Sequence, residues 1–176
     1  TAEDWRDAEA AVQRMRALLS GVLDVLGAEE AGGDEPVPGD ELVRGLRRDR
    51  PAASVQWPET FPPGAVLGRV AHLVRLALTN LLDNARDAAP DQPVILGIAA
   101  TPTGDWVWTL RDRGPGLPEA VRRRLFLPVP SAKPGGSGLG LALAAQLARA
   151  AGGNLSLAET GPAGTVFHLR HPALPS

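Results

Sequence analysis

Two asparagines spaced four residues apart are the first side chains whose pattern suggests chemistry. Asn80 and Asn84 lie in an otherwise apolar segment, and their spacing places both on one face of a helix. Asparagine is a mediocre helix former because its amide competes for backbone hydrogen bonds, so the pair predicts partners for both amides. An amide oxygen suits Mg²⁺, which usually takes one or two protein oxygens together with phosphate and water. The alternative is a pair of amides that face solvent or bond within the protein.

A carboxylate followed by two glycines is the second candidate. Asp112 stands directly after an apolar run that predicts a strand, and Gly114 and Gly116 follow it. Glycine permits positive φ angles and lets a ligand approach the backbone closely. A carboxylate at a strand end can accept a hydrogen bond from an exocyclic amine such as that of adenine. Taken alone, the same residues are also typical of a simple turn.

A glycine-rich segment is the third candidate. Residues 133–141 have the sequence KPGGSGLGL, with four glycines within residues 135–140, and lead into a segment that predicts a helix. Backbone N–H groups at a helix start, with the positive end of the helix dipole, form an anion site. Lys133 adds a charge that can reach a terminal phosphate. The pattern is neither a Walker loop nor a Rossmann fingerprint, and a flexible loop without a ligand is the alternative.

Helices and strands must position these residues. Apolar residues on one broad face predict a helix over residues 70–88, which ends before Pro90. Short runs bounded by turn residues predict strands at residues 55–57, 66–67, 94–100, 106–111, 154–158 and 165–170, the last two joined by a turn at 160–164. Further helices are expected at residues 41–48 after the cap Asp40, at 118–126 and at 138–151. The mixed order predicts an α+β fold, a two-layer α/β sandwich with a sheet covered by helices on one face.

The N-terminal region has its own pattern. Apolar residues at alternating spacings of three and four predict one helix over residues 1–27, with the seam of a coiled coil or helical hairpin. An amphipathic helix lying on its own domain is the alternative. Residues 28–39 are rich in glycine, proline and acids and predict a linker before a domain at residues 40–176.

Composition excludes several classes of function. The 176 residues carry a net charge of −2, which gives no electrostatic reason to expect nucleic acid as the main partner. The chain has no cysteine, so disulfides and thiolate metal sites are excluded. No apolar run reaches the length of a membrane span. We expect a cytoplasmic domain, and a membrane-anchored parent protein remains compatible with this sequence.

In order and spacing, four segments resemble the motifs of the ATP-binding catalytic domain of sensor histidine kinases, within the gyrase–Hsp90–histidine kinase–MutL ATPase superfamily. The segments are 80–85 (NLLDNA), similar to the N box, 112–117 (DRGPGL), similar to the first glycine box, 125–128 (LFLP), similar to the F box, and 136–141 (GSGLGL), similar to the second glycine box. The resemblance covers about residues 40–171. It implies a Bergerat-type ATP-binding fold preceded by a long N-terminal helix.

The resemblance implies roles for individual residues. Asn84 would coordinate Mg²⁺, Asn80 would lie beside the phosphates, and Asp112 would bind the adenine amino group. The residues expected to contact ATP are Asn80, Asn84, Asp112, Gly114, Gly116, Lys133, Gly136, Ser137, Gly138, Leu139 and Gly140. Hydrolytic members of the superfamily have a glutamate where Asn80 stands. Because a neutral amide cannot act as a general base, Asn80 favours phosphoryl transfer over hydrolysis, with Asn80 and Lys133 as the expected catalytic residues.

The expected phosphate acceptor is a histidine early in a helix and followed by an acid. The three histidines, His72, His168 and His171, lack this context, and we interpret them as structural or surface residues. The segment 1–27 resembles the second helix of the dimerisation hairpin. We therefore expect a catalytic fragment that transfers the γ-phosphoryl group of ATP to a histidine on a dimerisation helix absent from this chain. A response regulator would receive the phosphate next, and the parent kinase would be a homodimer.

Two other functions remain open. An anti-sigma-type serine kinase shares the fold, but the coiled-coil pattern at residues 1–27 disfavours it. A non-catalytic nucleotide-binding module is disfavoured by the presence of Asn84, Asp112 and the glycine-rich segments.

Overall fold

A computed structural model describes residues 32–48, 50, 54–127 and 139–175, and eight isolated positions nearer the N-terminus. These positions are residues 5, 8, 11, 12, 15, 19, 23 and 27, and all eight are helical, as the sequence predicts for this region. Five of their side chains are large, apolar and exposed, namely Trp5, Val12, Met15, Leu19 and Leu23. The assignment of this region to a dimerisation hairpin, and of residues 40–176 to the catalytic domain, stays a prediction.

Seven strands form two sheets. They are β1 (Pro36–Pro38), β2 (Val55–Gln56), β3 (Ala65–Leu67), β4 (Val94–Ala100), β5 (Trp106–Arg111), β6 (Asn154–Gly161) and β7 (Gly164–His171). The main sheet has the order β2-β4-β5-β7-β6, with β2 parallel to β4 and the other pairs antiparallel. β1 and β3 pair antiparallel in a small second sheet.

Besides the helical positions near the N-terminus, four helices accompany the strands in the described residues. They are α1 (Gly39–Arg48), α2 (Gly68–Ala88), α3 (Glu119–Arg122) and α4 (Gly140–Ala150). The long helices α2 and α4 contribute buried alanine and leucine side chains to one core, which also contains the alternating side chains Trp106, Trp108 and Leu110 of β5. Burial of every second residue of β5 directs one face of the sheet to the helices. The architecture is the predicted two-layer α+β sandwich with a mixed sheet.

Helix α2 is the central element of the site. Nine of its 21 residues are buried, and they recur along the stripe that the sequence predicts to face the core. The helix ends at Ala88, two residues before Pro90, and the N–H of Ala89 donates to the carbonyl of Ala85 to close the last turn. In the part of the chain that the structure describes, no helix combines the length and apolar character needed to cross a membrane.

Three local predictions differ from the structure. The helix predicted at 118–126 is the single turn α3, because none of its residues is buried and Leu125 and Phe126 pack on the core from the turn that follows. The final hairpin is longer than predicted, since Gly161 pairs with Gly164 around a two-residue turn. Within the predicted linker, residues 36–38 form the edge strand β1, a position that tolerates proline.

Candidate functional site

Three residues along one face of α2 bring the sequence candidates together. Asn80, Asn84 and Ala88 are spaced by four, so their side chains follow one another along one face of the helix. Asn84 faces Gly140 at the start of α4, and Ala88 faces Gly114 in the turn after β5. Residues more than 25 positions apart in sequence therefore meet along two turns of one helix.

Asn84 occupies the junction between α2 and α4. A Cβ atom on Gly140 would lie 2.9 Å from Nδ2 of Asn84 and 3.2 Å from its Oδ1, so only glycine leaves the amide in place. Nδ2 is buried and has no hydrogen-bond partner among the described residues. The first N–H groups of α4 lack acceptors within the helix, and Leu139 before it provides no side-chain cap. The junction thus presents an unpaired amide beside the positive end of a helix.

Asn80 uses its amide differently. Its Nδ2 donates to the carbonyl of Leu76, one turn back in α2, at 3.0 Å. This bond uses one of the two N–H donors of the amide, and the amide oxygen stays available to a ligand. Among the described residues, the partner that the sequence predicts for each amide is therefore found for Asn80 and not for Nδ2 of Asn84.

Asp112 is buried beneath the first glycine-rich turn. Only 5% of its surface is exposed, and its Oδ1 accepts hydrogen bonds from the N–H groups of Gly114 at 2.7 Å and Thr165 at 3.2 Å. Its own N–H donates to the carbonyl of Thr165 at 3.0 Å. These bonds fix the carboxylate at the point where β5 ends and β7 begins.

Glycines permit the close approach of the chain segments around Asp112. A Cβ on Gly114 would lie 2.9 Å from the Cβ of Ala88, and one on Gly164 would overlap the carbonyl oxygen of Asp112. Gly164 has a φ of +124°, which disfavours any other residue. Gly116 has a φ of +80°, and its Cβ would overlap the carbonyl oxygen of Gly161. The turn after β5 is therefore held between α2 and the β6–β7 hairpin.

The structure adds residues that sequence reasoning did not select. Thr165 holds Asp112 through its backbone, Gly164 admits the close contact, and Thr160 accepts a hydrogen bond from the N–H of Leu117 at 2.8 Å. A glycine at the start of a strand is a signal for Gly164. No local signal points to Thr160, because its role depends on the pairing register of the hairpin.

Several predicted contact residues lie outside the described residues. They are Lys133, Gly136, Ser137 and Gly138, together with Pro128 of the segment similar to the F box. Leu139 is buried, and Gly140 begins α4. A cleft of about 280 Å³ opens on a different face of α2, beside Thr79, Asp83 and Arg86, and does not include either asparagine.

A family profile matches most of the chain around this site. Residues 69–175 match the family described as histidine kinase-, DNA gyrase B-, and HSP90-like ATPase. The matched segment includes α2, the turn after β5, the start of α4 and the β6–β7 hairpin, so it contains every contact described above.

Curated relatives include two sensor proteins. The sensor protein TorS of Escherichia coli (strain K12) is 31% identical over 185 residues, covering 97% of this chain and 20% of TorS. The signal transduction histidine-protein kinase/phosphatase MprB of Mycolicibacterium vanbaalenii is 33% identical over 188 residues, covering 99% of this chain and 38% of that protein. The chain thus spans only a fifth to about two-fifths of the length of these relatives.

Solved structures agree with the sequence matches. The mycobacterial sensor histidine kinase MprB is 30% identical with a TM-score of 0.63, over 81% of this chain and 100% of that chain. Full-length ShkA in complex with AMPPNP has a TM-score of 0.69 at 22% identity, over 97% of this chain and 38% of that chain, which supports the fold alone. The chain therefore belongs to the histidine kinase-, DNA gyrase B- and HSP90-like ATPase family, as the ATP-binding catalytic domain of a sensor histidine kinase.

Proposed function

We propose that this chain binds ATP with Mg²⁺ along the row Asn80, Asn84 and Ala88 of α2 and transfers the γ-phosphoryl group to a histidine of the parent kinase. The observation that carries the proposal is the buried Nδ2 of Asn84, which lies at the first turn of α4 and has no hydrogen-bond partner among the described residues. An unpaired buried amide destabilises a fold by roughly 1–3 kcal/mol unless a ligand or water satisfies it. A nucleotide phosphate beside the helix start would supply such a partner.

Asp112 is suited to recognise the base. Its Oδ1 is occupied by the N–H groups of Gly114 and Thr165, so its second oxygen is the acceptor that we assign to the adenine amino group. Gly114 and Gly116 would form a wall of the base pocket, because neither has a side chain to fill it.

The residues around Asn84 fit a magnesium ion that is bound mainly through nucleotide. Within the described residues, no three of His, Cys, Asp and Glu cluster as metal ligands. An ion here would take one amide oxygen from Asn84 and its other ligands from phosphates and water, as Mg²⁺ commonly does. When bound, it would neutralise charge on the transferring phosphoryl group. Lys133 and residues 136–138 stay predicted phosphate contacts.

Asn80 gives the site its preference between transfer and hydrolysis. Its amide is neutral and its Nδ2 is bonded to Leu76, so it cannot remove a proton from water. Phosphoryl transfer needs positioning and charge neutralisation more than it needs acid–base chemistry. The proposed site can supply both positioning and charge neutralisation. We infer that bound ATP is held until a protein acceptor arrives.

The acceptor that we propose is a histidine on a dimerisation helix, with a response regulator as the next recipient. His171 is fully buried, and His168 lies within β7, where neither matches a helical acceptor. His72 lies in the first turns of α2 and is followed by Leu73. Names of the relatives support a kinase acting on histidine, and the acceptor helix remains a proposal.

A transfer assay in trans tests this proposal. The full chain is mixed with ATP-Mg²⁺ and with the separately prepared dimerisation domain of a related sensor kinase. We expect phosphate on the acceptor that is labile in acid and stable in base, the behaviour of phosphohistidine. An acceptor with its histidine changed to glutamine is the matched control and should stay unlabelled.

Other outcomes separate the alternatives. ATP binding without any acid-labile phosphate on the acceptor would contradict the proposed transfer. Acid-stable phosphoserine on a partner protein would instead support a serine kinase, and absence of ATP binding at millimolar concentration would leave only a non-catalytic module.

A further inference from the structure

We propose that Thr160 is a positioning residue for the adenine pocket, holding the turn at residues 114–117 in place through its hydroxyl. This inference rests on the proposed ATP binding and concerns how the base side of the pocket is built. Thr160 lies near the end of β6, and the turn follows β5, so the two are not neighbours in the sheet order.

One hydrogen bond connects the turn to the hairpin. The N–H of Leu117 donates to Oγ1 of Thr160 at 2.8 Å, in a partly buried environment. Leu117 ends the segment whose other end, Gly114, donates its N–H to Oδ1 of Asp112. The turn is therefore tied at both ends, by a carboxylate on one side and by the Thr160 hydroxyl on the other.

A second contact extends the chain of bonds to Asp112. Oγ1 of Thr160 lies 3.4 Å from Oγ1 of Thr165, whose own N–H donates to Asp112. Because Thr160 accepts from Leu117, its hydroxyl proton is available to Thr165. The bonds form a ring that runs from Asp112 through the turn, Leu117, Thr160 and Thr165 and back to Asp112.

Close backbone packing couples the position of the turn to that of Thr160. Gly116 approaches the carbonyl of Gly161 so closely that no Cβ would fit, and Gly161 directly follows Thr160. A displacement of the hairpin end therefore moves the turn with it. Valine has the shape of threonine without the hydroxyl, so Thr160→Val removes the acceptor and leaves the Leu117 N–H unpaired.

Nucleotide selectivity distinguishes positioning of the base from a general structural role. We expect Thr160→Val to weaken ATP binding by about 10-fold in calorimetry, because the partly buried N–H of Leu117 loses its acceptor and the turn is no longer held. Inorganic tripolyphosphate, which lacks the base, should bind the variant within about twofold of the wild type, because we assign the phosphate contacts to Asn84 and the start of α4, away from Thr160. Thr160→Ser retains the hydroxyl and should restore ATP binding.

Thr109→Val is the matched control. Thr109 is half-buried in β5 and makes no side-chain hydrogen bond among the described residues, so its variant should bind both ligands like the wild type. Equal ATP affinity of Thr160→Val and wild type would overturn the inference, as would an equal loss for ATP and tripolyphosphate. A failure of Thr160→Ser to restore binding would also overturn it.

Amide hydrogen exchange provides a test without nucleotide. The N–H of Leu117 should be protected in the wild type and in Thr160→Ser, and it should exchange faster in Thr160→Val. Rapid exchange of Leu117 in the wild type would overturn the inference even if Thr160→Val did not fold. A wild-type chain with a protected Leu117 but no ATP binding would contradict the proposed function and leave the hydroxyl contact intact.

Discussion

Asn80 and Asn84 lie on the same face of α2, yet their amides have different environments. Nδ2 of Asn80 donates to the carbonyl of Leu76 within the helix, whereas Nδ2 of Asn84 is buried without a partner among the described residues. Two amides with the same structural role would not need different environments. The difference is expected if Asn80 lies beside the phosphates, while Asn84 lies against the start of α4 and completes its hydrogen bonding with the ligand.

Asp112 permits a test that leaves the fold in place. Asparagine at this position can keep Oδ1 on the N–H groups of Gly114 and Thr165, while its NH₂ replaces the oxygen assigned to adenine. We predict that Asp112→Asn weakens ATP binding by about 10- to 100-fold, since an acceptor becomes a donor facing a donor. Calorimetry with ATP measures the change.

Asp105→Asn is the comparison for this variant. Asp105 forms an ion pair with Arg170 at the other end of β5, so the loss of the Asp105 charge should leave ATP affinity unchanged. Equal affinities of Asp112→Asn and the wild type would refute the assignment of Asp112 to the base.

At the scale of elements, the first turn of α4 acts together with α2. Alanine is a better helix residue than glycine, so Gly140→Ala should not weaken α4 itself. Its methyl group would nevertheless lie 2.9 Å from Nδ2 of Asn84 and displace the amide. We predict at least about a 10-fold loss of ATP-Mg²⁺ affinity, because small displacements of a positioning group have large effects.

Gly45→Ala in α1 is the control for this prediction. Its Cβ would contact only the flexible side chain of Arg75, at 3.4 Å. ATP-Mg²⁺ affinity should be unchanged in Gly45→Ala and reduced in Gly140→Ala. If the two variants bind alike, the α2–α4 junction is not part of the site.

The far end of β7 contains a buried histidine that makes stability depend on pH. The indole N–H of Trp108 donates to Nε2 of His171 at 2.9 Å, and Nδ1 of the same ring bonds the carbonyl of Pro172 at 2.9 Å. Because Trp108 can only donate, Nε2 must be an acceptor without a proton, and Nδ1 carries the proton that is donated to Pro172. This is the neutral form of the imidazole. Burial lowers the pKa of His171 from its ordinary value of 6.5, although the Pro172 carbonyl and the nearby Asp105 oppose the shift.

The direction of the pH effect follows from this lowered pKa. Between pH 6.5 and the lower pKa of the folded state, the unfolded chain binds more protons, so the free energy of unfolding falls as pH decreases. We predict a thermal unfolding midpoint that drops below pH 6.5, and a weaker drop in His171→Gln. His168→Gln, on the same strand, should keep the wild-type pH dependence, and identical pH profiles for the two variants would count against the prediction.

The sequence predicts the elements better than their contacts. Strands β4 and β5 have the predicted boundaries, because two apolar runs and the compact turn between them mark both strands locally. The short α3 differs from its prediction because packing, which periodicity does not report, determines its length. Asp112 and Asn84 were found from residue type and spacing, whereas Thr160 and Thr165 depend on register between segments about 50 residues apart.

In the whole molecule, the sheet order explains why the site forms at one end of the strands. β5 and β7 are antiparallel neighbours, so the end of β5 at Arg111 lies opposite Val166 near the start of β7. Asp112 and Thr165 consequently meet at that end, and the last turn of α2 contacts it with Ala88 against Gly114. The opposite end of the same strands contains Trp106 and His171, which pack in the core and take no part in the proposed binding.

Calorimetric titration of ATP with and without Mg²⁺ tests the central claim most directly, in the wild type, Asn84→Ala and the exposed control Asn154→Ala. We predict that the wild type and Asn154→Ala bind ATP more tightly with Mg²⁺ than without it. Asn84→Ala should bind ATP-Mg²⁺ at least about 10-fold more weakly and lose most of the effect of the ion. No binding by the wild type at millimolar ATP, or an unchanged magnesium effect in Asn84→Ala, would contradict the account.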